Sequence, residues 1–279
     1  MLRGAPTALS REAFRLLRDL IHGYCGIYFQ EDSAYLLERR LLPRLEATGC
    51  RDFFEYYDHL RYDHDREEEL EQIVERVTTN ETYFFREGYQ LDALRHEILP
   101  EVAKARRRGR RLLIWSAGCA TGEEAYTVAI LLVESGLFAD WDVRVFGSDV
   151  SRRVLQVARR AVYGHHSFRQ TEERYRRRYF REVEGRFQVR DEIKALTSFG
   201  QLNLMDAETM SLLGEVDVVL CRNVLIYFDL EARRRAVAGF HRRLVRGGYL
   251  LLGHSESLLN LSTAFELVHL EHDMVYRKP

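Results

Sequence analysis

The chain has 279 residues, 46% of them hydrophobic and 30% charged, with a net charge of −1. That length allows one large domain or two modest ones, and the charge balance argues against a nucleic-acid binder working through overall basicity. No apolar run approaches the roughly 18–20 residues of a membrane span. The four cysteines (Cys25, Cys50, Cys119, Cys221) are far apart and form no C-x-x-C. That disfavours a zinc site or a disulfide framework and makes a reducing cytoplasm the expected location. "MLRGAPTALSREAF" contains no apolar signal core.

The first third reads as helices. Ser10 can cap a helix whose apolar residues, Phe14, Leu17, Leu20, Ile21 and Tyr24, recur with helical period. "DSAYLLERRLLPRLEATG" gives a second helix, ended by Gly49 and expected to kink or split at Pro43. Asp52 can cap "FFEYYDHL". "DREEELEQIVERV" places Leu70, Ile73, Val74 and Val77 on one face and its acids on the other. A small helical domain over residues 1–88 is the economical expectation. Within it, "TTNETYFFRE" (78–87) brings polar groups, two phenylalanines and an arginine to what looks like a domain junction.

A further helix over 89–108 ends in the basic "KARRRGRR", read as a solvated helix end suited to the dipole. The pattern then changes. "LLIWSAG" (112–118) is a continuous apolar run, as expected of a strand covered on both faces. Strands follow at "DVRVFGSD" (142–149), "VDVVLCRN" (216–223) and "GGYLLLGHS" (247–255), separated by helical stretches. This alternation predicts an α/β domain over 89–279 with a parallel, doubly wound sheet. "FELVHLEHD" and "MVYRKP" suggest a closing hairpin, and residues 166–196 read as a small β insertion containing the basic helix "TEERYRRRYF".

In such sheets ligands bind beyond the carboxyl ends of the strands. The first of these ends carries "SAGCATGEEA", with Gly118 and Gly122 spaced G-x-x-x-G and followed by Glu123 and Glu124. A dinucleotide fingerprint needs G-x-G-x-x-G and N–H groups free for pyrophosphate, whereas two acids suit a cationic ligand. At the next strand end Asp149 can accept from both hydroxyls of a ribose. A nucleoside joined to a cation suggests S-adenosylmethionine. Two plainer readings stand beside this one. The glycines could form only a tight turn, and Asp149 could only cap a helix together with Ser151.

"TTNETYFFRE", "WSAGCATGEEAYT", the "SD" after "VFG", "NL" at 203–204, "CRNVLIYFD" and "GHSES" together resemble the chemotaxis receptor methyltransferases, the CheR family. The resemblance implies a Rossmann-like class I S-adenosylmethionine-dependent methyltransferase domain, an N-terminal all-helical domain and an inserted β-subdomain. It implies protein-glutamate O-methylation of methyl-accepting chemotaxis receptors, with S-adenosyl-L-homocysteine as the product. The implied partner is the helical cytoplasmic region of those receptors. Nucleic acid, membrane insertion and a metal are not expected, and a monomer is. By resemblance, Asn80, Thr82 and Arg86 reach the cofactor, with Phe84 and Phe85 packed at the junction. Gly118 lies in the cofactor loop, Glu123 and Asp149 meet the amino-acid and ribose parts, Asn203, Leu204 and Asn223 surround the adenosine, and Arg222 is a further cofactor-binding residue. Arg86 and Tyr227 are the implied residues of the reacting centre.

Three departures stand out. Ala125 replaces the proline of the familiar TGEEPYS. Pro43 and Glu46 occupy positions in the second helix that are basic in enteric members, although Arg40 and Arg44 remain as candidate receptor contacts. The hairpin "REVEGRFQV" lacks the glycine-rich extension of members that bind a receptor's C-terminal peptide, so tether-independent methylation is expected. A base-modifying methyltransferase is disfavoured by the absence of [N/D]-P-P-[Y/F] after the fourth strand.

Overall fold

A computed structural model of the chain describes residues 8–279. It divides into two compact units. One contains residues up to Thr79 together with Tyr227–Ala232, and the other contains Asn80–Ile226 and Arg233–Pro279. The division therefore falls at 79/80, where sequence reading had placed it at 88, and the segment 80–88 groups with the α/β unit.

The first unit is built on α1 (Arg11–Cys25), α2 (Ala34–Thr48), α3 (Phe53–Tyr62) and α4 (Arg66–Val77). Ser10 and Asp52 accept backbone N–H groups at the starts of α1 and α3, supplying acceptors that a helix start otherwise lacks. Helix α2 runs through Pro43 without splitting. Its fully buried stripe Leu37, Leu41 and Leu45 offsets the ~3 kcal/mol that an interior proline costs. The acids of α4 do not all face water. Glu69 is 5% exposed and receives Arg44 at 2.9 and 2.5 Å and the Tyr56 hydroxyl at 2.5 Å. Leu70, expected inside, is only partly buried. Arg40 donates to the Val77 carbonyl and lies over the Phe29 ring. Both arginines offered by sequence to a receptor thus serve inside this unit.

The second unit opens with α5 (Gly88–Ala93), a π-helical turn over Leu94–Ile98, and α6 (Leu99–Arg106). Pro100 has no N–H to return to the preceding turn, and the Leu99 N–H reaches back five residues to the Leu94 carbonyl. The strands are β1 (Arg111–Ala117), β2 (Asp142–Asp149), β3 (Val162–Tyr163), β4 (Phe180–Val183), β5 (Arg186–Val189), β6 (Thr197–Gln201), β7 (Val216–Cys221), β8 (Leu244–Leu252), β9 (Glu266–His269) and β10 (Met274–Arg277). Seven of them form one sheet in the order β6-β2-β1-β7-β8-β10-β9, parallel except for β10. The order reverses between β1 and β7, which is where such folds bind ligands. Helices α7 (Glu123–Ser135), α8 (Arg152–Arg160) and α12 (Leu230–Arg243) follow β1, β2 and β7.

The basic end of α6 is not wholly solvated. Arg106 meets the buried Asp217 of β7 at 2.6 Å, and the same carboxylate accepts the Leu113 N–H at 3.0 Å. The remaining strands make a second sheet, β3-β5-β4, with α9 (Glu173–Tyr179) and α10 (Asp191–Lys194) beside it in sequence. This insertion begins at Val162, ahead of the expected 166, because the two residues of β3 are too few to show a pattern.

Candidate active site

The loop from β1 into α7 is fixed by the main chain of β2. The N–H groups of Gly118 and Cys119 both donate to the Ser148 carbonyl at 2.8 Å. Gly118 and Gly122 have φ of +77° and +93°, and a Cβ on either would come 2.4 Å from Val224 or 2.8 Å from Ala158. Close protein packing therefore demands both glycines. Asp149, 7% exposed, accepts the Ala120 N–H on one oxygen at 2.9 Å and the Ser151 N–H on the other at 3.0 Å. The cap of α8 is Ser151, whose hydroxyl accepts from Val154. Asp149 instead ties the entry of α8 to the glycine loop.

Glu123 is 3% exposed at the first position of α7. Its carboxylate accepts the hydroxyls of Thr121 at 2.6 Å and Ser167 at 3.0 Å. Burial raises its pKa, against the pull of these donors and of the Arg169 charge. Glu124 takes the Ser116 hydroxyl at 2.6 Å and one arm of Arg222 at 3.1 Å.

Arg222 organises the space beyond β7. Its side chain is 2% exposed and bridges Glu124 and Glu87, each at 3.1 Å. It also donates to the Arg86 carbonyl at 2.6 Å. Two carboxylates and a carbonyl make a buried guanidinium tolerable, where an unpaired one would be costly. The segment 80–88 is thereby held to the sheet. Phe84 is fully buried, its N–H donates to the Ser167 carbonyl at 2.9 Å, and its ring lies 4.9 Å from each of Tyr163, Phe168 and Phe180. Phe85 stacks on Tyr175 at 4.5 Å and donates its N–H to Thr127. These phenylalanines therefore anchor the segment to the inserted subdomain. Phe85, Glu87, Ala120 and Asn223 all have positive φ, a conformation that costs non-glycine residues energy and collects at functional sites.

Arg86 is partly exposed. It donates to the Glu81 carbonyl at 3.0 Å, lies over Tyr83, and comes no nearer than 3.9 Å to the Glu87 carboxylate. Asn223 has its N–H on Glu256 at 2.8 Å, and its buried Oδ1 has no partner, like Nε of Arg222. Asn203 accepts the Met205 N–H and precedes the buried Leu204. Asn80 and Thr82 are half-buried in the same unit. Tyr227 groups with the helical unit, where its carbonyl accepts the Tyr28 N–H at 3.0 Å. Sequence reasoning missed Glu87 and Glu256. Glu256 takes four N–H groups, those of Asn223, Val224, Ile226 and Gly253; its only signal was its place in "GHSES". In the helical unit His59, Asp63 and Asp65 come together, with the His59 ring already on Asp63 at 2.6 Å.

Residues 80–274 match the family model described as "CheR methyltransferase, SAM binding domain", and residues 12–78 match "CheR methyltransferase, all-alpha domain". The chain is 35% identical over 268 residues to chemotaxis protein methyltransferase 2 of Vibrio cholerae, covering 95% of this chain and 92% of that one. It is 34% identical over 272 residues to chemotaxis protein methyltransferase 1 of Pseudomonas aeruginosa, covering 95% and 97%.

Proposed function

The chain belongs to the CheR methyltransferase family of S-adenosyl-L-methionine-dependent enzymes, and we propose that it methylates glutamate carboxylates on the helical cytoplasmic region of methyl-accepting chemotaxis receptors. The residues present fit the cofactor. Buried carboxylates stand at adjacent strand ends, and the Oδ1 of Asn223 lacks a partner that a ligand donor can supply. When bound, the cofactor supplies a methyl group on a sulfonium. Glu123 takes its cationic end and Asp149 its ribose hydroxyls. Gly118, Asn203, Leu204, Arg222 and Asn223 line the adenosine side, and Asn80 and Thr82 close over it.

One observation carries the choice of a carboxylate acceptor. Arg222 fixes the backbone of Arg86 at the strand ends, while the Arg86 guanidinium stays partly exposed and, among the described residues, has no carboxylate closer than 3.9 Å. A glutamate with pKa near 4.3 is already ionised at neutral pH, so no general base is needed. Arg86 then orients the acceptor, and alignment with exclusion of water supplies several kcal/mol of the barrier. Tyr227 is the second residue of the reacting centre in this reading. Tether independence is supported by the β4–β5 hairpin, which turns in two residues of positive φ, Glu184 and Gly185.

The test is methyl transfer from labelled cofactor to receptor cytoplasmic fragments, followed by peptide mass mapping. Arg86→Ala, fully loaded with cofactor, is expected to lose transfer by about 10²-fold or more while remaining folded. A normal single-turnover rate in that variant removes Arg86 from the reacting centre. Deleting the fragment's C-terminal residues is expected to leave the rate unchanged.

A further inference from the structure

At the carboxyl end of β8, beside the Asn223 loop, the fold leaves a cavity of about 620 Å³ that no role assigned above uses. Leu252 and Leu258 are buried in its wall, with Phe265, Leu267 and Met274 around them. Leu259, Leu267 and Met274 are 78%, 49% and 58% exposed. Such an apolar rim marks a contact surface more often than it occurs by chance.

Tyr89, His254, Ser257, Ser262 and Tyr276 bring groups to the lining that can donate, but two acceptors stand together beside Leu252. Gln90, 3% exposed, donates through Nε2 to the Leu252 carbonyl at 2.9 Å and to Asp273 at 2.7 Å, while its Oε1 has no partner. Glu256 also lines the cavity, but four backbone N–H groups already occupy its carboxylate. No lysine or arginine is among the lining residues. Asp273 and the Gln90 Oε1 therefore call for a donor, and a carboxylate arriving beside them would meet the Asp273 charge, with His254 the lining group that can become cationic.

Glu256 links this cavity to the proposed cofactor residues, because the carboxylate in its wall also fixes the Asn223 loop. Residues i and i+4 of a helix lie about 6 Å apart along its axis. A helical acceptor whose glutamate reaches Arg86, next to Glu87 on which the Asn223 side chain rests at 3.4 Å, sets its next turn over the cavity. Resting on the glutamate reading above, we propose that the cavity is the acceptor-recognition subsite. It takes an apolar side chain one turn from the reacting glutamate, with an amide or ammonium donor beside it, and it disfavours a second carboxylate there.

Leu259→Asp and Met274→Asp place charge at positions already exposed, so the fold is expected to survive, as melting curves will show. The KM for a receptor fragment should rise about tenfold with kcat unchanged and cofactor affinity unaltered. Leu137→Asp, an exposed apolar position after α7, should change nothing. Placing Asp one turn from the reacting glutamate of the fragment should slow the wild-type enzyme about tenfold, and Asp273→Asn should recover part of that loss. Normal KM in both rim variants, with acid-bearing fragments accepted equally by wild type and Asp273→Asn, overturns the subsite and leaves glutamate methylation standing. Absence of transfer from the wild type to any receptor fragment overturns the glutamate reading, and the subsite with it.

Discussion

At Asp149 each carboxylate oxygen is already held by a backbone N–H, so the group is rigid before any ligand arrives. Asp149→Ala is expected to weaken cofactor binding by about 1–3 kcal/mol through lost hydrogen bonds. It should also lower the melting temperature, because Ala120 and Ser151 lose their acceptor. Calorimetry giving an unchanged Kd would take Asp149 out of the site. Glu123 adds a linkage prediction. Burial raises its pKa in the fold, so between the ordinary glutamate value and the raised one the folded protein binds a proton that the unfolded chain does not. Stability of the ligand-free protein therefore rises as pH falls through that window. A cationic ligand favours the ionised form, so cofactor binding in that window should release a proton and weaken as pH falls. Calorimetry in buffers of different ionisation heat measures this, and Glu123→Gln should abolish the release. Residue type and strand-end position were enough to name Asp149 and Glu123 as candidates in the sequence, and the structure shows both buried beside the glycine loop. Arg222 was named as cofactor-binding by resemblance alone, and its pairing with Glu87 and Glu124 was invisible, since it joins residues more than ninety positions apart. Glu69 and Asp217 were hidden for a related reason: their cationic partners are known only once helices pack.

Among the elements, the segment 80–88 depends on the insertion as much as on the sheet. Phe84 fills the centre of an aromatic cluster with Tyr163, Phe168 and Phe180. Phe84→Ala is expected to cost about 3–5 kcal/mol by leaving a cavity, read as a shift of the denaturant midpoint. It should also weaken cofactor binding, because the segment carries Asn80, Thr82 and Arg86. A large stability loss with unchanged cofactor affinity would show that the cluster serves the fold alone. The parallel strands β1, β2, β7 and β8 could be read from the chain, β1 and β7 as nearly continuous apolar runs covered on both faces, whereas the edge strand β6, "TSFGQ", carries no such run and was missed. The antiparallel closing pair β9–β10 was readable as the two short adjoining segments "FELVHLEHD" and "MVYRKP". The π-helical turn was not, because a proline inside an apolar helical pattern predicts only disturbance, not its form. Of the two outcomes expected at Pro43, a kink or a split, the continuous α2 excludes the split, because tertiary burial of one leucine stripe outweighs the local rule.

In the whole molecule, the chain returns to its first unit late. Tyr227–Ala232 belong with the helices, although α12 begins at Leu230 and enters the α/β unit at Arg233. Within the helical unit Phe228 forms an isolated antiparallel bridge with Ile27, and the Tyr28 N–H meets the Tyr227 carbonyl at 3.0 Å. Folding of the helical unit thus supplies partners, Ile27 and Tyr28, for a segment about 200 positions downstream of them, a separation that makes such contacts slow to form. A fragment of residues 80–279 keeps the sheet, the glycine loop and Arg222 with both its carboxylates. It is therefore expected to bind S-adenosyl-L-methionine. It loses the partners of residues 227–232, and the buried Phe228 becomes an exposed apolar side chain. The fragment should melt below the full chain and self-associate in sedimentation at micromolar concentration. Phe228→Ser should reduce that association in the fragment, yet destabilise the full chain by about 3 kcal/mol, as burial of a large aromatic requires. A fragment that is monomeric and melts with the full chain would mean that the Ile27–Phe228 bridge contributes nothing to either unit.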